Sequence, residues 1–180
     1  GAGGEYYLRG TANGAVELYY DNVKAFETTS NGVIVKAPEG GAAVLYIYAD
    51  EGDDAADKWV LKAEAGSSQF KLRNIASGSW EDNIVANGNG AVELYYDNSK
   101  KLETTSSGVV CWGDFRASGA IDMEDSEKIK LGTGDDLEIY HTGAHGYLQN
   151  DTGTLRLESP EVGILSADGS ETMAQFVQNG

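Results

Sequence analysis

Basic residues are scarce in this chain of 180: 13 Lys and Arg stand against 29 Asp and Glu, a net charge of −16. Nucleic-acid binding runs on Lys and Arg displacing counterions from phosphate, and anionic membrane surfaces attract the same two residues. A chain with a pI near 4.3 is suited to neither. The single cysteine, Cys111, excludes an intrachain disulfide and says little about compartment. Long hydrophobic runs are missing too. The longest uncharged apolar stretch lies around 42–49, far short of the ~18 residues of a membrane-spanning helix, so no membrane insertion is expected. Proline occurs twice against 24 glycines, which implies many turns and few rigid kinks. Neither an initiator Met nor a signal peptide opens the sequence, and it reads as an internal piece of something longer. Apolar material is not lacking: with glycine counted in, about half the chain is apolar, as in ordinary globular proteins.

What is present is a repeat. Asn13 to Val35 reads NGAVELYYDNVKAFETTSNGVIV and Asn89 to Cys111 reads NGAVELYYDNSKKLETTSSGVVC, an offset of 76 residues with 17 of 23 positions identical. Gln178-Asn179-Gly180 reads as the opening of a third copy, and LEIYH at Leu137 to His141 as a fainter echo of VELYY. These breaks divide the chain into 1–36, the end of one unit with the first module; 37–112, a full unit ending in the second; and 113–180, a related unit.

Inside the repeat the period is two. Val92, Leu94 and Tyr96 fall on one face of a strand, and Glu93 and Tyr95 on the other. Asp97 to Lys100 then reads as a polar turn and Ser106 to Gly108 as the next. Asn-Gly at 13–14, 31–32, 87–88, 89–90 and 179–180 is a strong short hairpin signal, because both turn residues of a type I′ turn need positive φ. The last third continues in alternating runs: Ala120 to Met123, Lys128 to Leu131, Leu137 to His141 and Thr154 to Glu158. Glu171 to Val177, the sole candidate helix, reads better as a strand. Short strands at this spacing mark an all-β protein of repetitive antiparallel meander and hairpin modules, with roughly 18 strands in all. An open sheet rarely passes ~10 strands without curling or packing on another. Three meanders stacked around a threefold axis resolve the difficulty, giving an elongated homotrimeric β-fibre whose shared centre holds the inward Val, Leu and Tyr side chains.

The string ELYYDNSKKLETTSSGV at Glu93 to Val109 resembles a repeat recurrent in phage tail-fibre proteins, notably those of marine phages. So do YADEGDDAADKW at Tyr48 to Trp59, ASGSWEDNI at Ala76 to Ile84, and LGTGDDLEIYH with GAHGYL between Leu131 and Leu148. The resemblance spans most of the chain. It implies a homotrimeric virion appendage, with other fibre or baseplate proteins as partners and distal parts that touch the host, and it implies no catalysis.

The residues that offer chemistry each have a plainer reading. Asp50 to Asp57 holds five acids in eight residues, yet the EF-hand spacing fails at Gly52 and Ala55, so a solvated hairpin tip is expected rather than a Ca²⁺ site. Asp135, Asp136 and Glu138 read as surface carboxylates rather than a glycosidase pair. His141 and His145 flank the turn Thr142-Gly143-Ala144 and read as hairpin residues rather than metal ligands. Cys111 aligns with Val35, which assigns it a small buried apolar role. Trp59, Trp80 and Trp112 read as strand packing residues, with contact to a host surface glycan the alternative use. Lys24 and Lys100 recur at equal places as charge partners for neighbouring acids.

The expected function is therefore mechanical: a structural segment of a viral tail fibre, a spacer supporting host attachment, located in the virion and not an enzyme. No cofactor, metal or catalytic residue is expected, and no receptor-binding residue is assigned. A bacterial adhesin stalk and a polysaccharide-degrading tailspike segment are the alternatives.

Overall fold

The computed structural model describes residues 4–177. Nearly all of its regular structure is β, 49% strand against 3% helix. The sixteen strands are β1 (Leu8–Gly10), β2 (Val16–Tyr20), β3 (Val23–Thr29), β4 (Gly32–Val35), β5 (Ala43–Tyr48), β6 (Lys58–Ala63), β7 (Gln69–Asn74) and β8 (Glu81–Asn87), then β9 (Val92–Tyr96), β10 (Ser99–Thr105), β11 (Gly108–Cys111), β12 (Lys128–Leu131), β13 (Leu137–His141), β14 (Gly146–Asn150), β15 (Glu161–Leu165) and β16 (Thr172–Val177). Two single 3-10 turns, Asp50–Gly52 and Ala55–Asp57, join β5 to β6.

All pairings are antiparallel between strands consecutive in sequence. They build four open meanders: β1 to β4, β5 to β11, β12 to β14, and the hairpin β15–β16. Two compact units result, Gly1–Arg116 and Ala117–Gly180. The first two sheets share one unit, and the boundary between the two units falls at 116/117.

The two repeats fold alike. Leu18 pairs with Phe26 and Phe26 with Val35 in the first; Leu94 pairs with Leu102 and Leu102 with Cys111 in the second. Each carries a bulge at the same place, at Ala25 and Lys101. In each a threonine hydroxyl, Thr28 or Thr104, accepts the backbone N–H of Val16 or Val92 at 2.9 Å.

The tight turns differ from expectation. The left-handed pairs are Asp21-Asn22 (φ 48 and 58) and Asp97-Asn98 (φ 51 and 55), two-residue loops between paired strands. Asp and Asn tolerate this region because their short polar side chains bond locally. Ser99 and Lys100 therefore belong to β10, not to the turn. At 13–14 and 89–90 only the Asn has positive φ, and Asn31 and Asn87 stay outside that region. Two expected strands are not formed: Ala120–Met123 and Thr154–Glu158 enter no sheet, which leaves sixteen strands rather than about 18. The expected third repeat at Gln178-Asn179-Gly180 lies outside the described residues.

Replacing Asp97, whose side chain makes no hydrogen bond among the described residues, tests the turn. Asp97→Ala should cost less than ~1 kcal/mol in equilibrium urea unfolding, because alanine enters the left-handed region less readily than aspartate even where aspartate makes no bond. Asp97→Gly should be neutral or stabilising.

Candidate functional site

Each of the three larger sheets has one charged face and one apolar face, and the charged face is the covered one. In the first repeat Lys24 Nζ bonds Glu17 Oε1 at 2.7 Å and also bonds Glu27. The Tyr19 hydroxyl donates to Glu17 Oε2 at 2.8 Å. The second repeat rebuilds the cluster, with Lys100 at 2.6 Å from Glu93 and 2.5 Å from Glu103, and Tyr95 donating to Glu93 at 2.6 Å. On the same side of the seven-stranded sheet Lys62 meets Glu64 at 3.0 Å, and Arg73 Nε meets Asp82 Oδ1 at 2.6 Å, a charge contact lying off the N–H direction.

This side holds the two buried hydrophobic residues among those described, Val60 and Val85, each 3% exposed. Val60 pairs with Arg73 and Val85 lies between Lys71 and Glu93, so the aliphatic stems of charged side chains do the covering. The three-stranded sheet repeats the plan. Glu138, 8% exposed, bonds Lys128 at 2.6 Å, and Lys128 sits 4.3 Å above the Tyr140 ring, which stacks on Tyr147 at 4.8 Å.

The opposite faces are apolar and open. One row crosses all seven strands of the second sheet: Leu45, Leu61, Leu72, Ile84, Leu94, Leu102 and Cys111. Leu8, Leu18, Phe26 and Val35 form the equivalent row in the first sheet, and Ile129, Ile139 and Leu148 in the third. Tyr20 and Tyr96 are 81% and 75% exposed. Across the described residues, 35 large hydrophobic side chains are exposed.

The residues singled out in the sequence scatter over this framework. Asp53, Asp54 and Asp57 bring carboxylate oxygens within 4.8 Å of one another, three ligands where Ca²⁺ takes ~6–8 oxygens; Asp50 and Glu51 are not part of the group. Lys130 ties down Asp135 at 2.8 Å and approaches Glu138 at 3.9 Å. His141 Nδ1 receives the Gly143 N–H and faces Asp125 Oδ1, both at 3.0 Å. His145 closes the same turn through its backbone, accepting from Thr142 at 2.9 Å.

Cys111 is exposed, contrary to the buried role expected of it. Its counterpart Val35 is half-buried beside Leu45, Leu61 and Phe70 of the next sheet, and the second repeat is followed by strand-free chain instead. The tryptophans do not gather. Trp59 lies on the apolar face, Trp80 sits 6.3 Å from Tyr46 on the charged one, and Trp112 follows β11. The Tyr46–Tyr48–Trp80 grouping has no sequence signal, because Trp80 is distant in sequence from the two tyrosines and is brought near Tyr46 only by the successive pairing of β5, β6, β7 and β8.

No family model, curated protein or solved structure matches the chain.

The charged clusters set a pH window. The Lys24 hydrogen bond, then that of Tyr19, holds Glu17 below the ordinary glutamate value, and Lys100 and Tyr95 do the same for Glu93. Both lysines are raised by their carboxylate bonds, and Tyr95 is pushed up to about 12, chiefly by its bond to Glu93. The stabilisation from the two glutamates is thus present above the unfolded value of ~4.3 and is lost as pH falls through the lower folded values. That from Tyr95 is lost only as pH rises through about 12. In urea unfolding followed by circular dichroism, the midpoint should fall steadily below pH ~4, and the double variant Glu17→Gln, Glu93→Gln should flatten that fall.

Proposed function

We propose that this chain is a structural segment of a homotrimeric fibre, a mechanical spacer in a viral tail fibre or similar virion appendage that supports attachment to the host. The observation that carries the reading is the open apolar face on every one of the three larger sheets, set against a charged face that the chain closes by itself. A sheet must bury its hydrophobic face against another layer, and among the described residues the chain supplies no layer for these faces. The exposed surface is 13925 Å², where one closed globule of this mass exposes ~8,400 Å² and two separate ones ~10,000 Å². The surplus is of the size that obligate subunits bury, ~2,000–5,000 Å² per interface. Copies of the same chain are the natural cover, since every copy brings the same uncovered rows. Three copies is the number implied by the resemblance to phage fibre repeats. The same resemblance supplies the virion setting, the neighbouring fibre or baseplate proteins, and distal parts that touch the host surface.

Light scattering on the purified chain should return a mass near three times 19.1 kDa. Leu94→Asp, in the middle of the seven-strand apolar row, should shift the mass toward the monomer while the far-ultraviolet β signal stays. A stable wild-type monomer in dilute buffer overturns the proposal.

A further inference from the structure

Two segments of the second unit, Ala120–Met123 and Thr154–Glu158, have the sequence of strands and the surroundings of none. Ile121 and Met123 alternate with Ala120 and Asp122, and Leu155 and Leu157 alternate with Thr154, Arg156 and Glu158. Period-two alternation is the mark of a half-buried strand. All four apolar side chains are exposed, and among the described residues no backbone group of either segment makes a hydrogen bond. Arg156 and Glu158, two residues apart, reach one another at 3.9 Å, as side chains on one face of an extended chain do.

The chain does not use its own nearest edge. Three residues separate β14 from Thr154, a length suited to a hairpin, yet Asn150 Nδ2 instead bonds the carbonyls of Thr152 and Gly153 at 2.6 and 3.3 Å. The chain then runs on unpaired. β12 and β14 are both edge strands of their sheet. A strand laid beside β14 with its leucines on the Leu148 side would extend the row Ile129, Ile139, Leu148. Arg156 and Glu158 would then fall beside Tyr147 and Gln149 on the charged face. The two-sided pattern of the loose segment is the pattern of the edge it lies near.

We propose that Ala120–Met123 and Thr154–Glu158 are completed as strands by a second copy of this chain, pairing with the β12 and β14 edges of that copy. The inference rests on the self-assembly proposed above and adds to it where the backbones join: the copies exchange hydrogen bonds as well as apolar surface. Adding a strand to an exposed edge is an established mode of recognition, with main-chain bonds giving affinity and alternate side chains giving register. It also removes edges that would otherwise template aggregation.

Amide hydrogen exchange read by mass spectrometry, with light scattering on the same samples, tests this. In the assembled chain the amides of 120–123 and 154–158 should exchange at least ~100-fold more slowly than in a diluted, dissociated sample, in step with the change in mass. If the chain is oligomeric while these amides exchange at the unprotected rate, the strand exchange is wrong and self-assembly stands. If the chain is a monomer at every concentration, both fall. The double variant Leu155→Pro, Arg156→Pro removes amide donors pointing both ways along the segment. It should weaken assembly at least ~10-fold while leaving the β signal of the dissociated chain unchanged. Unaltered assembly in that variant overturns the pairing at 154–158.

Discussion

Everything in this protein depends on how a single sheet disposes of its two faces. A helix on one side or a second sheet on the other is the usual solution, and this chain has neither among its described residues. One face it closes with its own side chains. Lysine and arginine stems lie over Val60 and Val85, and their charged ends are neutralised by acids one strand away. The other face cannot be closed in that way, because its rows are mostly apolar, with Asn74 and Glu81 as polar exceptions in the second sheet, and pair no lysine or arginine with an acid across the ladder. A buried ion pair recovers less than it costs unless its geometry is good, but these pairs are half-exposed. Their work is to shield apolar stems at the surface rather than to form a core.

The repetition follows from the same constraint. In each copy of the 23-residue module the lysine of the middle strand reaches one acid across the ladder and one on its own strand: Lys24 to Glu17 and Glu27, and Lys100 to Glu93 and Glu103. The bulge at Ala25 or Lys101 sits beside that lysine, where extra twist re-aims a side chain. The six differences between copies leave the cluster residues untouched; five fall on the apolar side, on a turn or at the bulge, and the sixth, Ile34 against Val110, is a change of one methylene opposite Glu27 or Glu103 on the charged side. Phe26 against Leu102 and Val35 against Cys111 are size changes on the open face. The module thus keeps its ion-pair cluster constant and places its larger size changes on the open face.

Much of the fold was legible in advance for a physical reason: alternation in a strand reports the two faces directly. The period in Val92 to Tyr96 gives the strand, and 17 identities fix the equivalence of the two modules. The closed face was harder to read. Hydrophobicity points to Val92, Leu94 and Tyr96 as the interior, whereas within one chain Glu93 and Tyr95 are the better covered, because covering needs a neighbour and long charged stems provide it locally. Asn-Gly drew attention from Asp-Asn, although Asp and Asn also enter the left-handed region. Cys111 misled because alignment to Val35 transfers a position in a strand but not the sheet that follows it. The candidate site was legible only as separate residues: no spacing rule brings Tyr46 to Trp80, or separates Asp50 from Asp53.

The charge imbalance takes on a use once the apolar faces are assigned to contacts between copies. Nine of the 13 basic residues take part in ion pairs, mostly within the charged faces, so those faces are close to neutral. The surplus acids sit in loops, above all Asp50 to Asp57, where water and salt screen them. Like charges there resist sideways contact between assemblies, and they do not oppose closure of the apolar rows, which carry no charge. A chain with open faces and free edges is a hazard in solution. Placing repulsion at the loops and attraction on the sheet faces leaves stacking of those faces as the favourable association, the selectivity that the proposed fibre requires if it is to form in place of an aggregate.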